Sequence, residues 1–147
     1  MWKLTIMVNN PKRLVSLDEI RIRRSGDRQI ITNGPLYDLN DVQRHVRQHG
    51  LRVVNEDAQN DQINDFDPVL VDEELADFIC ALRPDLFHRS ERCATSVGMT
   101  VECDAYVMGW NRITCREWAS GKRIYVKFGF RDNNPRCLVV SIHYAKP

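Results

Sequence analysis

The sequence predicts an α+β fold in which an antiparallel sheet packs against two or three helices, with a β hairpin added at the N-terminal end. Three patterns predict it. Apolar and polar residues alternate through the last third of the chain, apolar residues recur at helical spacing in two earlier segments, and a glycine turn separates two alternating runs near the start. At 147 residues the chain has the length of one domain able to bury a core without disulfide or metal staples. Residues 1–35 form the β extension in this reading and residues 36–147 the main body.

Taken in order, WKLTIMV at 2–8 reads as a strand. LDEIRIRR and RQIITN read as two more, joined across Ser25, Gly26 and Asp27. Leu39, Val42 and Val46 then share one face of a helix, with Asp38 or Asn40 as its cap and Gly50 at its stop. His45 and His49 lie four apart on this helix, but no third ligand accompanies them, so both are read as solvent-exposed. LRVV at 51–54 reads as a strand. The polar, acidic stretch NEDAQNDQINDFDP reads as a loop. In VDEELADFICALRP, Leu75, Phe78, Ile79 and Leu82 recur at helical spacing, acidic residues crowd the first turn and Pro84 ends the helix. DLFHRS reads as a short turn, VGMTVECDAYVM as a strand, and KRIYVKFGF with RCLVVSIHY as a hairpin about RDNNP.

Composition limits the function classes. A hydrophobic share of 43% and a charged share of 28% are those of a soluble globular protein, and mean hydropathy is mildly negative. No secretory signal pattern opens the chain, so the expected location is the cytoplasm, with no membrane association. Five cysteines, Cys80, Cys93, Cys103, Cys115 and Cys137, contain no CxxC pair, and they are read as mostly buried thiols rather than as disulfides or metal ligands. The net charge of +1 hides a segregation: residues 1–54 carry a balance of +5, residues 55–82 of −9 and residues 83–147 of +5. A basic surface beside an acidic one suits a polyanion, although solvated faces account for the same counts.

The final hairpin sorts its residues onto two faces. Ile124, Val126, Phe128 and Phe130 match Leu138, Val140, Ile142 and Tyr144 as the buried set. The opposite parity carries Arg123, Tyr125 and Lys127 on one strand and Ser141 and His143 on the other, so these polar groups share a surface. A wet face of an antiparallel sheet is commonly polar without any function.

DLFHRS at 85–90, ECDAY at 102–106, GKRIYVKF at 121–128 and LVVSIHYAKP at 138–147 resemble, in order and spacing, the successive blocks of the MqsR toxins, members of the RelE-like group of small ribonucleases. The resemblance covers about residues 36–147. It implies a RelE-like fold, cleavage of single-stranded RNA, most naturally mRNA, without a metal or other cofactor, and neutralisation by an antitoxin protein. In that family the blocks supply a lysine, a glutamine, a tyrosine and a second lysine. Tyr125 matches the tyrosine. His88 stands at the first lysine position, His143 at the second and Cys103 at the glutamine, so the role of Cys103 is open.

Metal-free RNA cleavage needs a base for the 2′-OH proton, an acid for the leaving 5′-oxygen and positive charge near phosphorus. Histidine, with an ordinary pKa of about 6.5, suits both proton roles. His88 and His143 are therefore the expected acid and base, in either assignment, with Tyr125 orienting the phosphate. Arg89, Arg123, Lys127 and Ser141 would bind it. Trp110 and Trp118 offer stacking surfaces for unpaired bases, or else core packing. Two alternatives stand beside this: a non-catalytic RNA-binding or protein-interaction module of the same fold, and a hydrolase acting through Cys103.

Overall fold

Eight strands and three helices make up residues 10–146, the part of the chain that this computed structural model describes. The expected opening strand at 2–8 lies outside the described residues. The class is α+β: an open, mostly antiparallel sheet with helices packed on one face. In chain order the elements are β1 (Ile22–Ser25), β2 (Arg28–Ile31), α1 (Leu39–His49), β3 (Leu51–Val53), α2 (Glu56–Asn64), α3 (Asp72–Ala81), β4 (Phe87–Ala94), β5 (Thr100–Asn111), β6 (Arg116–Glu117), β7 (Arg123–Gly129) and β8 (Cys137–Tyr144). The sheet runs β1-β2-β4-β5-β7-β8-β3, with β6 paired to β5, and only β3 and β8 lie parallel. β1 and β2 pair about Ser25 and Arg28, and β2 pairs in turn with β4, so this hairpin is the edge of the common sheet.

The larger core fills the space between the sheet's rear face and the helices. Tyr106, Met108 and Trp110 of β5, Ile124, Val126 and Phe128 of β7, and Val139 and Ile142 of β8 meet Val42 and Val46 of α1 and Leu75, Phe78 and Ile79 of α3. Full burial of each large apolar side chain contributes about 1.5–3 kcal/mol. α1 is capped by Asp38, whose carboxylate accepts from Asn40 N at 3.0 Å, and it ends at Gly50, whose φ of 76° suits a residue without Cβ. Gln43 of α1 donates through Nε2 to the carbonyls of Ile79 and Leu82, at 3.1 and 2.9 Å, and so closes the C-terminal end of α3.

Three expectations need correction. The acidic stretch after β3 forms helix α2, which buries only Ala58 among its own residues and hands the chain on to the buried Phe66 and Leu70. One small buried residue leaves no helical period to read. DLFHRS is a turn only as far as Leu86, because Phe87–Ala94 extends as β4. His45 is buried: it packs edge-on against Phe130 at 5.8 Å, and its Nδ1 lies 3.1 Å from the Pro135 carbonyl, while His49 stays exposed.

The strand faces are set by two bulges. In β8 the register passes from Lys127↔Ser141 to Phe128↔Val139, which leaves Val140 as an extra residue. Leu138 and Val140 therefore lie on the front face, in a second apolar cluster with Val54, Cys93, Val101 and Cys103, and not with Ile142 as alternation predicts. In β4 the register passes from Phe87↔Tyr106 to Arg89↔Ala105, with His88 as the extra residue.

Behind β4, Asp104 anchors the segment before α1. Fully buried, it accepts from Leu36 N at 2.9 Å, Tyr37 N at 3.0 Å and Ser90 Oγ at 2.6 Å. Burial raises its carboxyl above the ordinary value in spite of these donors.

Candidate active site

On the front face, at the end of the sheet away from the small apolar cluster, β4, β5, β7 and β8 line a cavity of about 390 Å³. Tyr125 of β7 pairs with His143 of β8 and with Val107 of β5, which places the phenol mid-wall. Its ring stacks on the His143 imidazole with centroids 4.8 Å apart and planes 10° from parallel. On its other side the His88 ring meets it edge-on at 5.8 Å. The two histidines, 55 positions apart by their numbers, are thus brought to one phenol, which lies between them. The bulge in β4 turns His88 toward this cavity rather than toward the rear core.

Arg123, Lys127 and Ser141 line the same cavity, as alternation about Tyr125 predicts, and so does Arg89 of β4, the neighbour of His88 expected at the phosphate. Arg28 and Lys146 line it too. Sequence reading missed both: Arg28 belongs to the N-terminal hairpin, and only the pairing of β2 with β4 brings it here. Among the described lining residues five are Lys or Arg and none is Asp or Glu, so the wall is strongly cationic.

One carboxylate lies beneath the wall. Glu91, 5% exposed, is 3.2 Å from Lys127 Nζ and 3.8 Å from Arg28. Arg89 Nε lies 3.1 Å from Glu91 Oε1, but neither atom completes a hydrogen bond, so the Lys127 contact is the better aligned of the two. Burial alone would lower the Lys127 ammonium, yet Cys93, Tyr125 and Glu91 hold it above the usual lysine value, which makes it a fixed cation. Burial raises the Tyr125 phenol, aided by Glu91 and opposed by Lys127 and Arg89, so the phenol keeps its proton near neutrality. His88 is lowered, first by burial and then by Arg89 and Arg123, which favours its neutral form. His143 Nδ1 lies 2.9 Å from the Tyr144 carbonyl, a contact that a protonated Nδ1 makes as donor. Nε2 is then the nitrogen left to exchange protons with a ligand.

Two accessory residues do not join this group. Cys103 is fully buried in the small apolar cluster, and burial pushes its thiol well up, which removes the thiolate that nucleophilic chemistry needs. Trp110 lies on the rear face against Phe78, its Nε1 donating to Glu74 at 3.1 Å. It is core, not a stacking platform. Trp118 is half-exposed but lines a separate depression with Asn111, Thr114 and Glu117. Of the five thiols, all free, Cys93, Cys103 and Cys137 are buried, Cys80 is half-buried and Cys115 is exposed. Among the described residues no three His, Cys, Asp or Glu side chains are grouped to hold a metal ion, and no helix is long and apolar enough to cross a membrane. No family model, no curated protein and no solved structure matches this chain.

Proposed function

We propose that the chain is a metal-independent endoribonuclease that cleaves single-stranded RNA by attack of a ribose 2′-oxygen on the adjacent phosphorus. The observation that carries the reading is the position of Tyr125 between two imidazoles on a cationic wall. Its function class agrees with the resemblance of residues 36–147 to the MqsR toxins. On that reading the RNA is a cellular message, the chain works in the cytoplasm, and a cognate antitoxin is the partner that would cover this cavity.

The chemistry follows from the proton states. His88, neutral near pH 7, accepts the 2′-OH proton as the oxygen–phosphorus bond forms. His143 in its protonated form then gives a proton to the 5′-oxygen as the phosphorus–oxygen bond breaks. The products are a 2′,3′-cyclic phosphate and a free 5′-hydroxyl, and the two histidines have exchanged protonation states. Tyr125 donates its phenolic proton in a hydrogen bond to a non-bridging oxygen, while Lys127, Arg89 and Arg123 offset the negative charge that grows in the transition state. Stacking on His143 holds both rings to one geometry, which lowers the ordering cost of reaching it.

The test is incubation of mixed-sequence RNA with purified protein in EDTA, comparing wild type with His143→Ala and Tyr125→Phe. Cleavage by the wild type that both changes reduce is the expected result. Intact RNA after long incubation with bound protein would favour a non-cleaving RNA-binding module, and activity that both variants retain in full would remove the mechanism.

A further inference from the structure

The cationic wall continues beyond the cavity. Arg28 and Arg89 line the cavity and also a more open groove that extends onto the β1–β2 hairpin. Arg23 forms the far side of this groove, Ile30 belongs to its lining, and Asp27 is the one acidic residue there. Register fixes which arginines take part. Arg23 pairs with Ile30 and shares its face, whereas Arg24 pairs with Gln29 and points to the opposite face. β1 is exposed along its whole length, so the Arg23 charge is open to a ligand.

We propose that this groove is a second phosphate subsite for the same RNA strand. A strand leaving the cavity past Arg89 crosses β4 and β2 and sets a backbone phosphate against Arg23 and Arg28, with a ribose or base edge on Ile30. The inference rests on the ribonuclease reading for the identity of the polymer. Four inter-strand steps of about 4.8 Å separate β7 from β1, roughly 19 Å in all. That distance matches the shorter single-strand footprints, of about four nucleotides. The preferred substrate is therefore an oligonucleotide longer than a dinucleotide, gripped on one side of the cut.

Two measurements test it, with Arg23→Ala set against Arg24→Ala as the control that loses the same charge from the other face. The first is the affinity of a DNA decanucleotide, which has no 2′-OH and stays intact, read by fluorescence anisotropy over a range of salt. Arg23→Ala weakens it by about three- to tenfold and lowers the salt slope by about one, while Arg24→Ala changes affinity by less than about twofold. The second is cleavage of an RNA decanucleotide and of a dinucleotide, where Arg23→Ala raises KM for the longer substrate alone at unchanged kcat. Equal behaviour of the two variants, or no binding of the decanucleotide by the wild type, overturns the subsite. The binding pattern without cleavage by any form leaves the subsite standing and refutes the ribonuclease reading. Cleavage with Arg23→Ala equal to wild type on both substrates does the reverse.

Discussion

The Lys127 ammonium lies 3.2 Å from the Glu91 carboxylate, beneath the cationic wall that Tyr125 occupies. Removing the carboxylate charge leaves a half-buried ammonium without its counter-ion, the situation in which a broken buried pair costs most. Glu91→Gln should therefore lower stability by about 2 kcal/mol, less than for a fully buried pair because Lys127 keeps some contact with water. A urea titration reads this as a lower midpoint. The same variant should bind a DNA decanucleotide at least as tightly as wild type, since a negative charge has left the wall.

Loss of either imidazole should cost far more rate than affinity. His88→Ala and His143→Ala should each lower kcat by about two to four orders of magnitude, the usual range for a general acid or base. Tyr125→Phe keeps the ring that stacks on His143 and loses only the hydroxyl, so a fall of about ten- to a hundredfold in kcat with little change in fold is expected. Single-turnover cleavage of an RNA decanucleotide, alongside thermal melts, separates these effects from misfolding.

The acid side of the pH profile should belong to His88. Its lowered pKa means that the base remains neutral to a pH below the ordinary histidine value of about 6.5, so kcat/KM should fall only beneath that point. His88→Ala should erase this limb. The linkage sign agrees: the folded state binds its His88 proton more weakly than the unfolded chain, so this contribution to stability is complete above the unfolded pKa and is lost as pH falls through the folded one.

Asp104 should behave in the opposite sense. Its raised carboxyl makes its contribution largest below the ordinary carboxylate value, and that contribution declines as pH rises through the folded pKa. Asp104→Ala would strand the Leu36 and Tyr37 amides and the Ser90 hydroxyl, at a cost of about 3 kcal/mol. Asp104→Asn keeps an acceptor and should cost roughly 1 kcal/mol, with a flatter dependence on pH. Denaturant midpoints taken from pH 4 upward compare the three forms.

Thiol chemistry should follow exposure. Iodoacetamide should modify Cys115 in the native protein well before Cys93, Cys103 or Cys137, with RNA cleavage unaffected, as peptide mass mapping would show. Early modification of Cys103 with loss of activity would instead revive a cysteine nucleophile.

How far the fold could be read from the chain depended on period. α1 and α3 bury several residues at helical spacing and were legible, whereas α2 buries one alanine and was not. Tyr125, Lys127, Ser141 and His143 were legible as one surface because they lie on the same side of the β8 bulge, where alternation is unbroken. Leu138 and Val140 lie across it, and no residue type there announces the extra position. His88 was reached through family resemblance alone, since a bulge residue obeys no alternation. Trp110 could not be assigned a face because β5 is buried on both sides, and the parity that Trp110 shares with Tyr106 and Met108 also carries the polar Thr100, Glu102 and Asp104. The burial of His45 was available as a signal that went unused: it lies three residues after Val42, on the same side of α1.

Val140 gives the sheet a phase shift. Deleting this single valine would set Ser141 directly after Val139 and restore unbroken alternation, with Leu138, Ser141 and His143 on the front face and Val139 and Ile142 on the rear, each opposite its present partner in β7. The small apolar cluster would lose the side chain of Val140, and the strand its local kink. A chain shortened by one residue here would thus keep both its sheet and its pair of histidines, whereas one residue added between Ser141 and His143 would carry the imidazole toward the rear core.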